Sequence, residues 1–150
     1  MIKNWIDSSG KYKITFNLAY SHNIYSFSKY KSDISDSHIN GPAVFIFITE
    51  KKSIFGSYGS KFVANAHNWV SDQNAFLFSL NLNKKYPAKK AKNNYKNGYY
   101  GYNFHDIELD FFQRKGKFKI GLYLDNYELE GNSDSFKFEH FLVFEVKIEI

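Results

Sequence analysis

Residues 44–48 read Val-Phe-Ile-Phe-Ile, a run too continuous in apolar side chains to leave one face in water. Turn signals bound it, with Gly41-Pro42 before and Lys51-Lys52 after. A short, bounded run of this kind suits a strand buried on both sides. The same signature recurs in the NAFLFSLNL segment and at Phe141–Phe144, while Ile54–Tyr58 supplies a hairpin partner for the first run. Elsewhere the period is two: Ile107, Leu109 and Phe111 alternate with Glu108 and Asp110, and Val146, Ile148 and Ile150 alternate with Glu145, Lys147 and Glu149. FKIGLYL reads as one more strand, and the Lys11–Ser21 segment as a strand or a strand ending in a turn. Two short helical pieces are expected, an amphipathic turn at Ile2, Trp5 and Ile6 and a helix near Ser26–Ile34. Strands with turns every eight to twelve residues predict a mainly β fold, a two-sheet antiparallel β-sandwich flanked by short helices. No repeat or linker divides residues 1–150, so a single domain is expected.

Composition supports strands. The chain holds 16 phenylalanines and 12 tyrosines, which fit a pleated surface and lose rotamer freedom in helices. It has no cysteine, which removes disulfides, thiolate nucleophiles and cysteine metal sites together. The opening MIKNWIDSSGKYK lacks the apolar centre of a signal peptide, and no apolar stretch approaches the roughly 20 residues that cross a bilayer. A cytoplasmic protein is expected. Residues 1–99 carry 14 basic and 5 acidic side chains, residues 100–150 carry 6 and 10. That split matters only if the fold keeps the halves apart.

The catalytic templates fail. GSYGS at 56–60 lacks the lysine-serine pair and the helix start that a phosphate loop needs. His22, His38, His67, His105 and His140 form no i, i+2 or i, i+4 pair that would put two imidazoles on one metal. His105-Asp106 is the foremost acid/base candidate, but strand neighbours point to opposite faces, so Asp106 cannot orient that imidazole there. A strand-entry turn is the plainer reading. The carboxylates of Glu108 and Asp110 would sit about 7 Å apart on one strand face, and those of Glu128 and Glu130 likewise, each simply in solvent. No catalytic, cofactor or metal residues are assigned.

GPAVFIFITEKKSIFGSY, then Trp69, then AFLFSL, resembles in order and spacing the central block of the TLDc domain. Members of that family show a GP-led apolar strand, FGGY, a tryptophan and AFLFSL. The likeness extends to LAYS at 18–21, Ser26-Phe27, Tyr86-Pro87, YGYNFHDIEL and the closing EVKIEI, so it covers nearly the whole chain. Ser57 replaces the second glycine of FGGY, HNIYS replaces a basic-acidic-glycine turn, and Tyr99 takes a proline position, as in a diverged member. The resemblance implies the same sandwich with short helices. It further implies protection against oxidative stress through protein contact, with the vacuolar-type proton ATPase as a partner whose assembly the family regulates. It carries over no catalytic residues and no cofactor.

The motif residues explain themselves through packing. Phe76 and Phe78 should share one strand face, Leu77 and Ser79 the other, and Gly41 and Gly56 permit tight turns or close backbone approach. A surface patch is supplied by Lys84, Lys85, Lys89, Lys90, Lys92 and Lys96, with no acid among them. They read first as a solvated loop leaving the AFLFSL strand. As a contact they would suit an acidic protein partner, raising the association rate. The alternative is nucleic acid or an anionic membrane, with Tyr86, Tyr95, Tyr99 and Tyr100 as stacking platforms. Against base reading, the chain has a single arginine, Arg114. A non-enzymatic module acting through a protein partner is the expectation; oligomeric state is not legible.

Overall fold

The apolar run around Val44 is an interior strand, hydrogen-bonded along both edges. A computed structural model describes residues 1–23, 40–63, 71–89, 95–97, 102–104, 106–110, 113–121 and 123–150. These contain a five-residue helix, α1 (Ile2–Ile6), and the strands β1 (Lys13–Asn23), β2 (Asn40–Thr49), β3 (Ile54–Val63), β4 (Phe76–Ser79) and β5 (Lys84–Pro87). β6 (Tyr95–Asn97), β7 (Tyr102–Phe104), β8 (Ile107–Asp110), β9 (Lys115–Phe118) and β10 (Ser135–Glu149) follow. The sheet order is β5-β4-β3-β2-β10-β9-β8-β7-β6, with β1 also on β10, and each pairing is antiparallel.

β10 is the spine. One edge follows β2 from Phe138 to Glu145. The other edge pairs with β9 over Ser135–Lys137 and then with β1 from His140 onward. The expected antiparallel, mainly β fold is therefore what forms, but its sheet is continuous through β10. The two halves face each other across phenylalanines: the Phe55 ring of β3 lies 4.9 Å from Phe136 and 5.4 Å from Phe118.

Strand alternation sorts the side chains into two clusters. Leu77 joins the large one with Phe45, Phe47, Phe55 and Phe141, while Phe76 and Phe78 join a smaller one with Ile14, Val44, Tyr58 and Val146. The period-two reading of AFLFSL is met. The bulkiest side chains under 2% exposed are all phenylalanines, so aromatic packing supplies most of the drive. Each buried ring contributes about 1.5–3 kcal/mol, and edge-to-face pairs such as Phe55–Phe136 add to it. α1 closes the smaller cluster, with Trp5 5.9 Å from Phe78.

Three sequence expectations change. FKIGLYL is a strand only to Phe118; beyond it the chain bends at Gly121 (φ 151), and the Tyr123 and Leu124 amides donate to the Asp106 carboxylate at 2.7 and 2.8 Å. The residues are buried as their apolarity requires, but a side chain has taken the place of a neighbouring strand. Glu128 and Glu130 do not share a wet strand face. They lie in a 3-10 turn (Glu128–Glu130) ended by Gly131 in the left-handed region, and with three residues per turn positions i and i+2 diverge. Glu130 is buried. The lysine loop begins as β5, a strand paired with β4. The expected helix at 26–34, Trp69 and Tyr99 lie outside the described residues.

Ser57 is fully buried between Phe45 and Leu77, and its hydroxyl has no hydrogen-bond partner among the described residues. Leaving a buried donor unmatched costs about 1–3 kcal/mol. Ser57→Ala keeps the strand and removes the hydroxyl, so a urea titration should show a gain of about 1 kcal/mol. A loss would mean the hydroxyl is matched after all.

Candidate functional site

Pairing β5 with β4 splits the lysine segment by alternation. Lys84 and Tyr86 take one face. There the Lys84 ammonium and the Tyr86 hydroxyl both donate to Glu128 Oε1 at 2.5 Å, and Lys89 pairs with Asp125. Lys85 and Pro87 take the other, lining a cleft under α1. Lys90 and Lys92 lie outside the described residues, and Lys96 is placed by its backbone alone, in β6. The patch read from the sequence is thus two surfaces, one of them balanced by acids from the 125–128 segment. As an edge strand, β5 also carries lysines and a proline, which discourage pairing with a further strand.

The pair of hydrogen bonds at Glu128 moves two ionisations. Lys84 and then Tyr86 hold the Glu128 carboxyl below its ordinary value. Burial, and then the Glu128 carboxylate, push the Tyr86 phenol well above its own. A carboxyl depressed in the folded state adds stability that is complete above its unfolded pKa and fades as pH falls through the folded value. Stability should therefore fall as the solution is acidified through and below the ordinary carboxylate range, and Glu128→Gln should flatten that limb in melts recorded on the acid side. The Lys84–Glu128 pair is exposed, so its share is no more than about 1 kcal/mol.

The cleft beneath α1 has a volume of about 500 Å³. Trp5, Tyr12, Tyr58 and Phe76 give it aromatic walls, with Lys85 and Asn74 among its polar groups. Tyr58 stacks on Phe76 at 5.1 Å. Burial and the nearby Asp72 charge push the Tyr58 phenol up to about 12, so it stays neutral at ordinary pH.

A second hollow, of about 380 Å³, lies on the outer face of the β9–β10 hairpin and is lined by Lys51, Lys115, Lys137, Glu50 and Ser135. Lys115 and Lys137 are directly opposite in register, and Lys117 follows opposite Ser135. The Glu50 amide donates to the Lys137 carbonyl at 2.9 Å, which brings the β2–β3 turn alongside. Lys52, Lys84, Lys89 and Lys119 each reach a carboxylate; Lys51, Lys115, Lys117 and Lys137 reach none among the described residues. Sequence reading passed over this cluster because its members lie in three separate segments.

Three carboxylates are buried, Asp72, Asp106 and Glu130, and each serves the fold. Asp72 accepts from the Ser60 amide and hydroxyl and from the Lys61 and Asn74 amides. Asp106 holds Tyr123 and Leu124, in keeping with the turn expected there. Glu130 accepts from the Thr49 and Ser53 hydroxyls at 3.2 and 2.8 Å and so ties the 3-10 turn to the β2–β3 hairpin. The Glu108 side chain is exposed, as expected, and pairs with Lys119. His140 is exposed on β10, and His38, His67 and His105 lie outside the described residues. Among the described residues no group of three or more His, Cys, Asp or Glu comes together for a metal ion, and no helix is long and apolar enough to cross a membrane.

Compared with models of known protein families and with curated proteins, the chain matches none.

Proposed function

We propose that the chain is a non-enzymatic stress-response module of the TLDc kind that works by docking an acidic protein surface. The resemblance read in its sequence makes the vacuolar-type proton ATPase the first partner to test. The observation that carries the docking surface is the cross-strand pair Lys115–Lys137, joined by Lys51 and Lys117, none of which forms an ion pair among the described residues although Asp110 and Glu108 lie opposite Lys115 and Lys117 on β8. Like charges directly opposite one another destabilise a sheet, so the Lys115–Lys137 contact is unfavourable by itself, and Asp110 opposite Lys115 on β8 offsets it only from the other side. An acidic partner would relieve it and be steered toward it. The lysine segment 84–96 belongs to the same reading as a secondary contact. Of its described members Lys84 and Lys89 are already matched by acids and only Lys85 is not, which leaves little cation for a nucleic-acid backbone and favours a protein partner. A cytoplasmic location is part of the proposal.

Lys137→Glu separates function from fold. It places a carboxylate opposite Lys115, so stability should rise by about 0.2–1 kcal/mol. Retention on purified proton ATPase should fall at least about tenfold at physiological salt, with wild-type binding itself weakening as salt is raised. Retention of DNA or RNA instead, lost on the same salt ramp, would support the nucleic-acid alternative. Hydrolase or peroxide turnover abolished by His105→Ala would overturn the non-enzymatic reading.

A further inference from the structure

The cleft under α1 combines aromatic walls with one cation, Lys85, that has no acid partner among the described residues. Lys85 projects from β5 on the face opposite Lys84, and its ammonium lies 4.7 Å from the Phe76 ring centroid and 3.0 Å from the Trp5 carbonyl oxygen. That carbonyl belongs to the last turn of α1, whose oxygens have no partner within the helix. One of the three ammonium donors is thereby used and two remain. Among the described residues no carboxylate comes within ion-pair distance of Lys85, unlike Lys84 and Lys89 on the other face. The one acid lining the cleft among the described residues, Asp7, is committed elsewhere: its oxygens accept from the Ser9 amide and hydroxyl and from the Tyr12 amide.

Shape adds to charge. At about 500 Å³ the cleft lies within the range of small-molecule sites, and apolar walls with few convergent polar groups are their usual construction. Trp5 and Tyr12 lie toward solvent while Tyr58 and Phe76 form the buried floor, so a flat ring entering the cleft meets aromatic surface on more than one side. Asn74, whose side-chain amide makes no hydrogen bond among the described residues, can serve a second polar group.

α1 itself is lightly held. It has five residues, none of them buried, and no side-chain cap. It is attached by Ile2, Trp5 and Ile6, which pack half-buried on the smaller cluster with Trp5 against the Phe78 ring, by the Lys85 hydrogen bond and by Lys3 at 6.0 Å from the Phe16 ring. So short a helix does not persist on its own and depends on what it packs against. A ligand in the cleft would extend the surface that Trp5 covers.

We propose that this cleft is a binding site for a small planar aromatic anion, with the ring against Trp5, Tyr12 and Phe76 and the anionic head on the free donors of Lys85. The site stands apart from the β9–β10 lysine cluster, and its success or failure does not depend on the docking function proposed above.

The test uses 2-naphthoate and its uncharged counterpart 2-naphthamide, titrated into the full chain by calorimetry and by proton–nitrogen spectra that follow the Trp5 indole. Naphthoate should bind at least about tenfold tighter than naphthamide, as a charge-assisted hydrogen bond to one ammonium provides. It should shift the Trp5 indole resonance and leave Lys115 and Lys137 amides unmoved. Lys85→Met should remove the preference for the anion, while Lys85→Arg, which keeps both the charge and the reach to the Trp5 carbonyl, should retain it within about threefold. If Lys85→Met instead released α1, the Trp5 resonance would move without ligand; Lys85→Arg then decides, and equal naphthoate and naphthamide affinities in it overturn the proposal. So does wild-type binding that ignores charge, or naphthoate shifts confined to residues outside the cleft.

Discussion

Gly56→Ala should cost about 4 kcal/mol, enough to leave the chain at the edge of folding. Gly56 sits in β3 opposite Ile46 on one side and Phe78 on the other. A Cβ built there overlaps the Phe45 carbonyl oxygen and falls 2.8 Å from the Phe78 ring. The ring could turn, but the carbonyl is backbone in a strand paired on both edges, and moving it breaks ladder hydrogen bonds along β2. Overpacking a core costs typically about 1–3 kcal/mol where side chains absorb it, and more where the backbone must move. For a domain of this size the loss should appear as a fall in Tm of roughly 10–15 °C. A variant melting within a few degrees of wild type would show that β2 and β3 can separate there at little cost. Gly41 owes its glycine to a different cause, a backbone φ of +124 with open space around it.

That position was legible in the sequence, and so was much of the fold, because the information is local. The run at 44–48, the alternation of Phe76, Leu77 and Phe78, and the turn at Lys51-Lys52 each follow from a few adjacent residues obeying a period of two. The continuity of the sheet through β10 was not legible, since it depends on which strand meets which half of one long segment. Tyr123 and Leu124 mark a subtler limit. Their apolarity announced burial, and burial is what they have; the strand expected of them gave way to a carboxylate 17 and 18 residues earlier.

The candidate surfaces show the same division more sharply. Six lysines in thirteen residues are conspicuous in a sequence, but whether their charges add depends on the strand alternation that sends Lys84 and Lys85 to opposite faces and on acids some forty residues away. The lysines that cluster without forming an ion pair among the described residues, 51, 115, 117 and 137, are inconspicuous in the sequence because the β9–β10 register assembles them. The cleft likewise draws on α1, β1's approach, β3, β4 and β5 at once. Pairing registers decide sites here, and registers are long-range.

Asp72→Ala should cost nearly as much as the glycine substitution, about 3–4 kcal/mol, by a different mechanism. Asp72 is fully buried, and its two oxygens accept four donors: the Ser60 amide at 2.5 Å and hydroxyl at 2.6 Å, and the Lys61 and Asn74 amides at 3.1 Å each. The Asn74 bond is an Asp-type turn in which the side chain stands in for backbone two residues on, a signal available in Ser-Asp-Gln-Asn before the AFLFSL strand. The Ser60 and Lys61 bonds then fix where the end of β3 meets the entry to β4. Alanine leaves two strand amides of β3 without acceptors and releases the turn, so the loss exceeds that of a single hydrogen bond. Two further substitutions separate charge from connectivity: Asp72→Asn keeps one acceptor oxygen and should recover about half of the loss, whereas Asp72→Leu should recover none. Amide exchange read at Ser60, Lys61 and Asn74 gives the decisive comparison. Faster exchange confined to these three in Asp72→Ala supports the carboxylate as their common acceptor; unchanged protection would mean the backbone satisfies them by itself.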